Sequence, residues 1–133
     1  MKLSKKSEYA CLALLYMAEN YGKSRVTIAK ISKEKCIPKK FLEQILVQLK
    51  YMGLVKSERG PKGGYFLKKR PEKISLAEII RGFEGYLAPI KSVSENDFDH
   101  TPTEKHEKLL NLMKEIRDYV ADKLENTTIA DLL

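Results

Sequence analysis

The stretch PKKFLEQILVQLKYMGLVKSERGPKGGY, residues 38–65, decides the fold. Leu42, Ile45, Leu46 and Leu49 recur at i, i+3, i+4 and i+7, so about 38–52 is expected to be a helix with one apolar face. Pro38 suits its first position, where a missing N–H costs nothing. At 100° per residue the opposite face carries Lys40, Gln44, Val47 and Tyr51, flanked by Glu43 and Gln48. Gly53 ends the helix. Two short strands follow, at about 54–59 and 64–68, joined through Gly60-Pro61-Lys62-Gly63, where Gly and Pro supply the angles of a tight tip. Gly63 and Gly64 let the backbone come close to a neighbour. Tyr65 and Leu67 share the strand face expected to meet the core, and Phe66 takes the other.

Working upstream, Thr27 is a fair N-cap for a short helix over 28–35, with Ile28, Ala29 and Ile31 inward and Lys30, Lys33 and Lys35 outward. Cys36-Ile37 is then a tight link. A short helix, a short turn and a longer helix make the helix-turn-helix pattern. Residues 4–20 predict a further helix, capped by Ser4 or Ser7 and ended by Asn20-Tyr21-Gly22. Its apolar stripe, from Cys11 and Leu12 through Tyr16 to Ala18, marks it as a buried core brace.

Downstream, Ser75-Leu76-Ala77-Glu78 is a capping box opening a helix to about Phe83, with Leu76, Ile79, Ile80 and Phe83 as its apolar stripe. Residues 86–103 lack a period and are acidic at Glu95, Asp97 and Asp99, as in a linker. Thr101-Pro102-Thr103-Glu104 is a second capping box, opening a helix over about 103–125. There Leu109, Met113, Ile116 and Val120 recur at spacings of 4, 3 and 4, broadened by Leu112, Tyr119 and Leu124. This seam is expected to pair with its twin in a homodimer; the alternative is packing back on its own head. The tail Thr127–Leu133 has Ile129, Leu132 and Leu133 to bury. The expected fold is mainly α with a small β-hairpin wing: a winged helix-turn-helix head at 1–86, a linker at 87–102, a dimerisation helix at 103–126 and a tail at 127–133.

Composition narrows the function. The 133 residues hold one compact domain, and 43% apolar content is enough for a packed core. The net charge of +7 is unevenly spread: residues 1–70 carry 17 Lys and Arg against 5 Asp and Glu, and residues 71–133 carry 8 against 13. A basic head joined to an acidic remainder suits a polyanion such as nucleic acid. Cys11 and Cys36 make no disulfide framework, and the apolar run Ala10–Ala18 is far short of a membrane span. Glu8 interrupts what would otherwise resemble a signal peptide. A cytoplasmic, reduced protein with no membrane contact is expected.

The central stretch then has a chemical meaning. A helix in the major groove reads base edges with side chains near its N-terminus. Lys39 and Lys40 can reach phosphate or guanine, Glu43 can accept from a cytosine amino group, Gln44 can pair with adenine, and Val47 can touch a thymine methyl. A carboxylate beside phosphates is repelled, so Glu43 points to base selection. Arg59 and Lys62 on the narrow hairpin suit a minor groove, whose negative potential attracts a guanidinium.

The chain resembles the Rrf-two family of bacterial winged-helix regulators. The residues that carry the resemblance are Met1-Lys2-Leu3-Ser4, Glu8-Tyr9-Ala10, Ile28-Ala29, Phe41-Leu42-Glu43-Gln44-Ile45-Leu46, Gly53-Leu54-Val55, Ser57, Arg59-Gly60-Pro61, Gly63-Gly64-Tyr65 and Ile74-Ser75-Leu76. The resemblance implies a homodimeric repressor or activator of dyad-symmetric promoter DNA, with long helices crossing at the interface. It also implies base reading by Glu43 and Gln44 and a minor-groove Arg59. Iron–sulfur members of the family carry three cysteines in the segment before the long helix, and residues 86–106 contain none here. Thiolates are the usual cluster ligands, so no cofactor is expected. The sequence is closer to the cluster-free, cysteine-metabolism-repressor type of member, which answers to a partner enzyme, than to the iron–sulfur cluster regulator type.

Other roles are weighed against this one. His100, His106, Asp97, Asp99 and Glu104 could form a weak metal site, against the plainer alternative of a solvated linker. Cys11 on an apolar face is expected to be an inert core thiol. Cys36, in the link beside Lys35, could be a redox switch, because a nearby ammonium lowers a thiol pKa. An adaptor that docks a metabolic enzyme through the acidic half is a rival from another class. An enzyme is not expected: there is no nucleophile–base pair, and Gly60, Gly63 and Gly64 lack the ending of a P-loop.

Overall fold

The computed structural model describes residues 2–95 and 99–133. Five α-helices and one hairpin follow in order among the described residues: α1 (Lys5–Glu19), α2 (Ile28–Lys35), α3 (Lys39–Tyr51), β1 (Val55–Glu58), β2 (Gly64–Leu67), α4 (Leu76–Glu84) and α5 (Glu107–Glu125). Ser4 caps α1 by accepting from the Ser7 N–H, Thr27 caps α2 by accepting from Lys30, and Ser75 caps α4 by accepting from Glu78. Each hydroxyl satisfies an N–H that the first turn leaves unpaired.

The core lies where α1, α3 and α4 meet. Leu14, Ile31, Leu42, Ile45, Leu46, Leu49, Leu54, Ile74 and Ile79 are all fully buried there. The apolar face of α3 is therefore used up inside, and Lys40, Gln44, Val47 and Tyr51 are left exposed on the other side. At about 1.5–3 kcal/mol for each buried Leu or Ile, those four α3 residues fix the helix orientation. The hairpin pairs antiparallel, Val55 with Leu67 through Glu58 with Gly64. Val55 and Leu67 sink into the core, Tyr65 packs against it, and Phe66 takes the outer face half-buried.

Several expectations are corrected. Ala29 is exposed, because only Ile31 of α2 is buried and Ala29 faces the wing. Pro38 is the N-cap of α3 and not its first helical residue. No side chain caps at Thr101: Pro102–Lys105 is a 3₁₀ turn, and His106, with non-helical backbone angles, separates it from α5, which starts at Glu107. The segment after α4 buries Leu87, Ala88, Ser92, Val93 and Ser94, so an aperiodic polar look conceals real packing.

In the tail only Ile129 is buried, while Leu132 and Leu133 stay exposed. Thr127 and Ile129 bond with the backbone of Leu76 and Ile74 (2.9 Å each), which returns the end of the chain to the head.

Candidate nucleic-acid interface

The N-terminal half of α3 and the hairpin tip face each other across an open groove. Thr27, Lys39, Glu43, Glu58, Arg59 and Tyr65 are among the residues that line it. The structure thus brings Lys39, Glu43 and Arg59 together. Lys40, Gln44 and Val47 continue the exposed face of α3, with Val47 69% exposed, and Lys62 stands exposed at the tip. Residues 59–62 have no buried member, so the tip projects free of the core.

The tip is a glycine construction. A Cβ on Gly63 would lie 2.4 Å from the Glu58 carbonyl oxygen, and one on Gly64 2.8 Å from that of Val26. Gly64 also has φ +140°, a value L side chains rarely adopt. The second approach exists because Val26 bridges to Tyr65, with N–H to carbonyl bonds of 2.9 and 2.7 Å in the two directions. The α1–α2 loop is in effect a third strand under the wing.

Not every residue expected on the DNA side belongs there. Gln48 donates from Nε2 to the Gly82 carbonyl at 2.6 Å, tying α3 to α4. Long-range contacts of this kind leave no trace in a helical period. Tyr51, at 93% exposure, does lie on the free face.

The two thiols differ. Burial pushes the Cys11 thiol up to about 11, so it stays protonated at neutral pH. Cys36 is exposed and occupies the left-handed region at φ 54° as the C-cap of α2. Lys35, expected beside that thiol, sets its ammonium 3.6 Å from Glu19 and 5.8 Å from the Tyr16 ring centroid. His100 contacts Glu104 at 3.0 Å, and among the described residues no three His, Cys, Asp or Glu side chains gather as metal ligands. Asp97 lies outside the described residues.

On α5 no residue is fully buried. Leu109, Leu112 and Tyr119 are exposed, while Met113, Ile116 and Val120 are half-buried. The C-terminal part is tied to its own head through Leu124, packed against the core, and Arg81 to Glu125 at 2.6 Å, while mid-helix Arg117 donates to the Val93 carbonyl at 2.9 Å. No helix among the described residues is long and apolar enough to cross a membrane.

The family model described as "Rrf2: Iron-dependent Transcriptional regulator" matches residues 3–133. The chain belongs to the Rrf2 family. Among Rrf2 relatives it is 33% identical over 132 residues to the HTH-type transcriptional regulator CymR of Bacillus subtilis, covering 99% of this chain and 89% of that protein. The solved structure of that protein, called the global cysteine regulator of B. subtilis, has a TM-score of 0.82 at 32% identity over 99% of this chain and 95% of the other. T. potens IscR gives 0.76 at 30% identity, over 99% and 85%. The oxidised form of Staphylococcus aureus CymR gives 0.75 at 33%, over 99% and 95%. These Rrf2 proteins are regulators and not enzymes, and this chain is a winged helix-turn-helix, DNA-binding transcriptional regulator.

Proposed function

We propose that this Rrf2 regulator binds dyad-symmetric promoter DNA as a homodimer in the cytoplasm and represses transcription without an iron–sulfur cluster. The observation that carries the proposal is the pairing of α3 with the hairpin tip around one groove lined by Lys39, Glu43 and Arg59. Lys39 and Lys40 hold phosphates, Glu43, Gln44 and Val47 read base edges, and Arg59 and Lys62 enter the adjacent minor groove. One head reads one half-site. The uncovered Leu109 and Leu112 on α5, with Met113, Ile116 and Val120 beside them, support pairing through that helix. Repression follows from occupying a promoter that polymerase must reach.

The donor set does not fit a cluster, although the family is described as iron-dependent. The chain has two cysteines: Cys11, packed against the core, and Cys36, exposed at the helix-turn-helix link. Residues 86–106 supply no thiolate. Selection of bound duplexes from random DNA tests the main proposal. It should recover an inverted repeat, whereas recovery of a single unrepeated half-site, or of no motif, contradicts it.

Cys36 supports a second reading, in which oxidation controls DNA binding. Cys36 is solvent-exposed at the strained link between α2 and α3, and a CymR relative exists in an oxidised form. A bulkier oxidised sulfur there would press on the start of α3. Hydrogen peroxide should then lower DNA affinity in the wild type and not in Cys36→Ser; equal loss in both refutes it.

A further inference from the structure

One side chain grips the outer face of the wing. Arg25, in the loop between α1 and α2, places Nη2 2.8 Å from Glu58 Oε2 on β1. The same guanidinium lies 5.2 Å from the centroid of Phe66 on β2. It therefore touches both strands of the hairpin at once, and its neighbour Val26 is the residue bonded to Tyr65. Glu58 is the last residue of β1, so the ion pair sits one residue before Arg59. Phe66 faces away from the core that holds Val55 and Leu67, and the guanidinium covers part of that outward ring.

We propose that Arg25 is a positioning residue for DNA binding, which fixes the angle at which the wing presents Arg59. The physical need is plain. A two-stranded hairpin is marginally stable alone and twists easily. Its inner face is anchored by Val55 and Leu67, but anchoring one face leaves a rocking motion about that line. Contacts to both strands from the opposite face remove it. The planar, forked guanidinium can pair with a carboxylate and stack on a ring in one pose, which an ammonium on a flexible stem does poorly. The pairing has a second effect, because Glu58 lines the groove proposed for DNA and a bare carboxylate there would repel phosphate.

The Arg25 and Glu58 side chains are 37% and 54% exposed, so the pair adds little to global stability. That separates positioning from mere structural support. Arg25→Ala should leave the melting temperature within about 2 °C of the wild type while weakening DNA binding.

The inference rests on Arg59 acting in the minor groove, and a double-mutant cycle keeps the two ideas distinguishable. Affinities would be measured by anisotropy at fixed salt for a duplex recovered by selection, using the full chain as wild type, Arg25→Ala, Arg59→Ala and the double variant. If Arg25 aims Arg59, removing Arg59 should cost about tenfold in the wild type and under about threefold in the Arg25→Ala background. Full additivity overturns the positioning role but leaves Arg59 in place. No effect of Arg59→Ala in the wild type overturns both. Arg25→Lys keeps the charge and loses the fork, so it should bind like Arg25→Ala; wild-type affinity in that variant means charge alone acts, and the brace is wrong.

Discussion

Glu84 accepts from the backbone N–H of Ser4 at 2.9 Å and from the buried Ser7 hydroxyl, at a point where α4 meets the start of α1. The Ser4 and Ser7 hydroxyls, with the Ser4 N–H adding to them, hold its carboxyl below the ordinary 4.5 against the opposing effect of burial. A group lowered in the folded state contributes stability that is fully present above its unfolded value and is lost as pH falls through the folded one. Thermal melts of the wild type and Glu84→Gln should therefore differ most above pH 4.5 and converge below it. A gap that stays constant to pH 3 or so would remove the charge from the explanation. Gly63 gives the other residue-scale test. Its Cβ position lies against backbone, which cannot step aside as a side-chain end can. Gly63→Ala should distort the tip and reduce DNA affinity by an order of magnitude or so, with a loss in stability confined to about 1–2 kcal/mol. Anisotropy and denaturant melts measure the two effects separately.

At the scale of elements, α4 acts as a junction. Arg81 bonds Glu125 of α5, the Gly82 carbonyl accepts from Gln48 of α3, and Glu84 holds α1, all within four residues. Met52 fills the space beside Gly82 where any side chain would stand. Gln48→Ala should cost about 1 kcal/mol for the lost hydrogen bond and leave base preference unchanged, as urea melts and selected sites would show. That outcome runs against the sequence pattern, which puts Gln48 beside the DNA face. The pattern succeeded where local chemistry decides: the Leu42–Leu49 stripe, the caps at Thr27 and Ser75, and the glycines of the tip gave α2, α3 and the wing nearly to the residue. It failed where the partner lies far along the chain. Buried Ile129 bonds to Ile74, Gln48 reaches the Gly82 carbonyl, and Arg25 is engaged by Glu58 and Phe66; none of these pairings has a period or a motif. The 87–94 segment was obscured for a related reason, since isolated apolar residues between Pro and Ser carry no repeat yet find a surface to cover. For the groove itself, the exposed face of α3 was legible from helical phase, while its meeting with Arg59 depended on how the Val26–Tyr65 bridge sets the hairpin.

For the whole molecule, the charge distribution and α5 lead to linked expectations. A basic head that neutralises phosphates releases counterions, so log affinity should fall linearly with log salt, by about 0.9 per phosphate contact. In the proposed homodimer, two heads joined through α5 would double the contacts. Replacing the exposed Leu109 and Leu112 by Glu should give a monomer by sedimentation, keep the head folded, and about halve the salt slope. An unchanged mass would assign that surface another role. In the proposed binding mode α3 reads bases through Glu43 and Gln44 while the wing holds the backbone and the minor groove. Glu43→Ala tests it most directly, by comparing the sites that it and the wild type select from random duplex DNA. The variant should keep the inverted repeat and lose preference at one position in each half-site, a loss of about 1–3 kcal/mol in discrimination there. An identical preference at every position would contradict it.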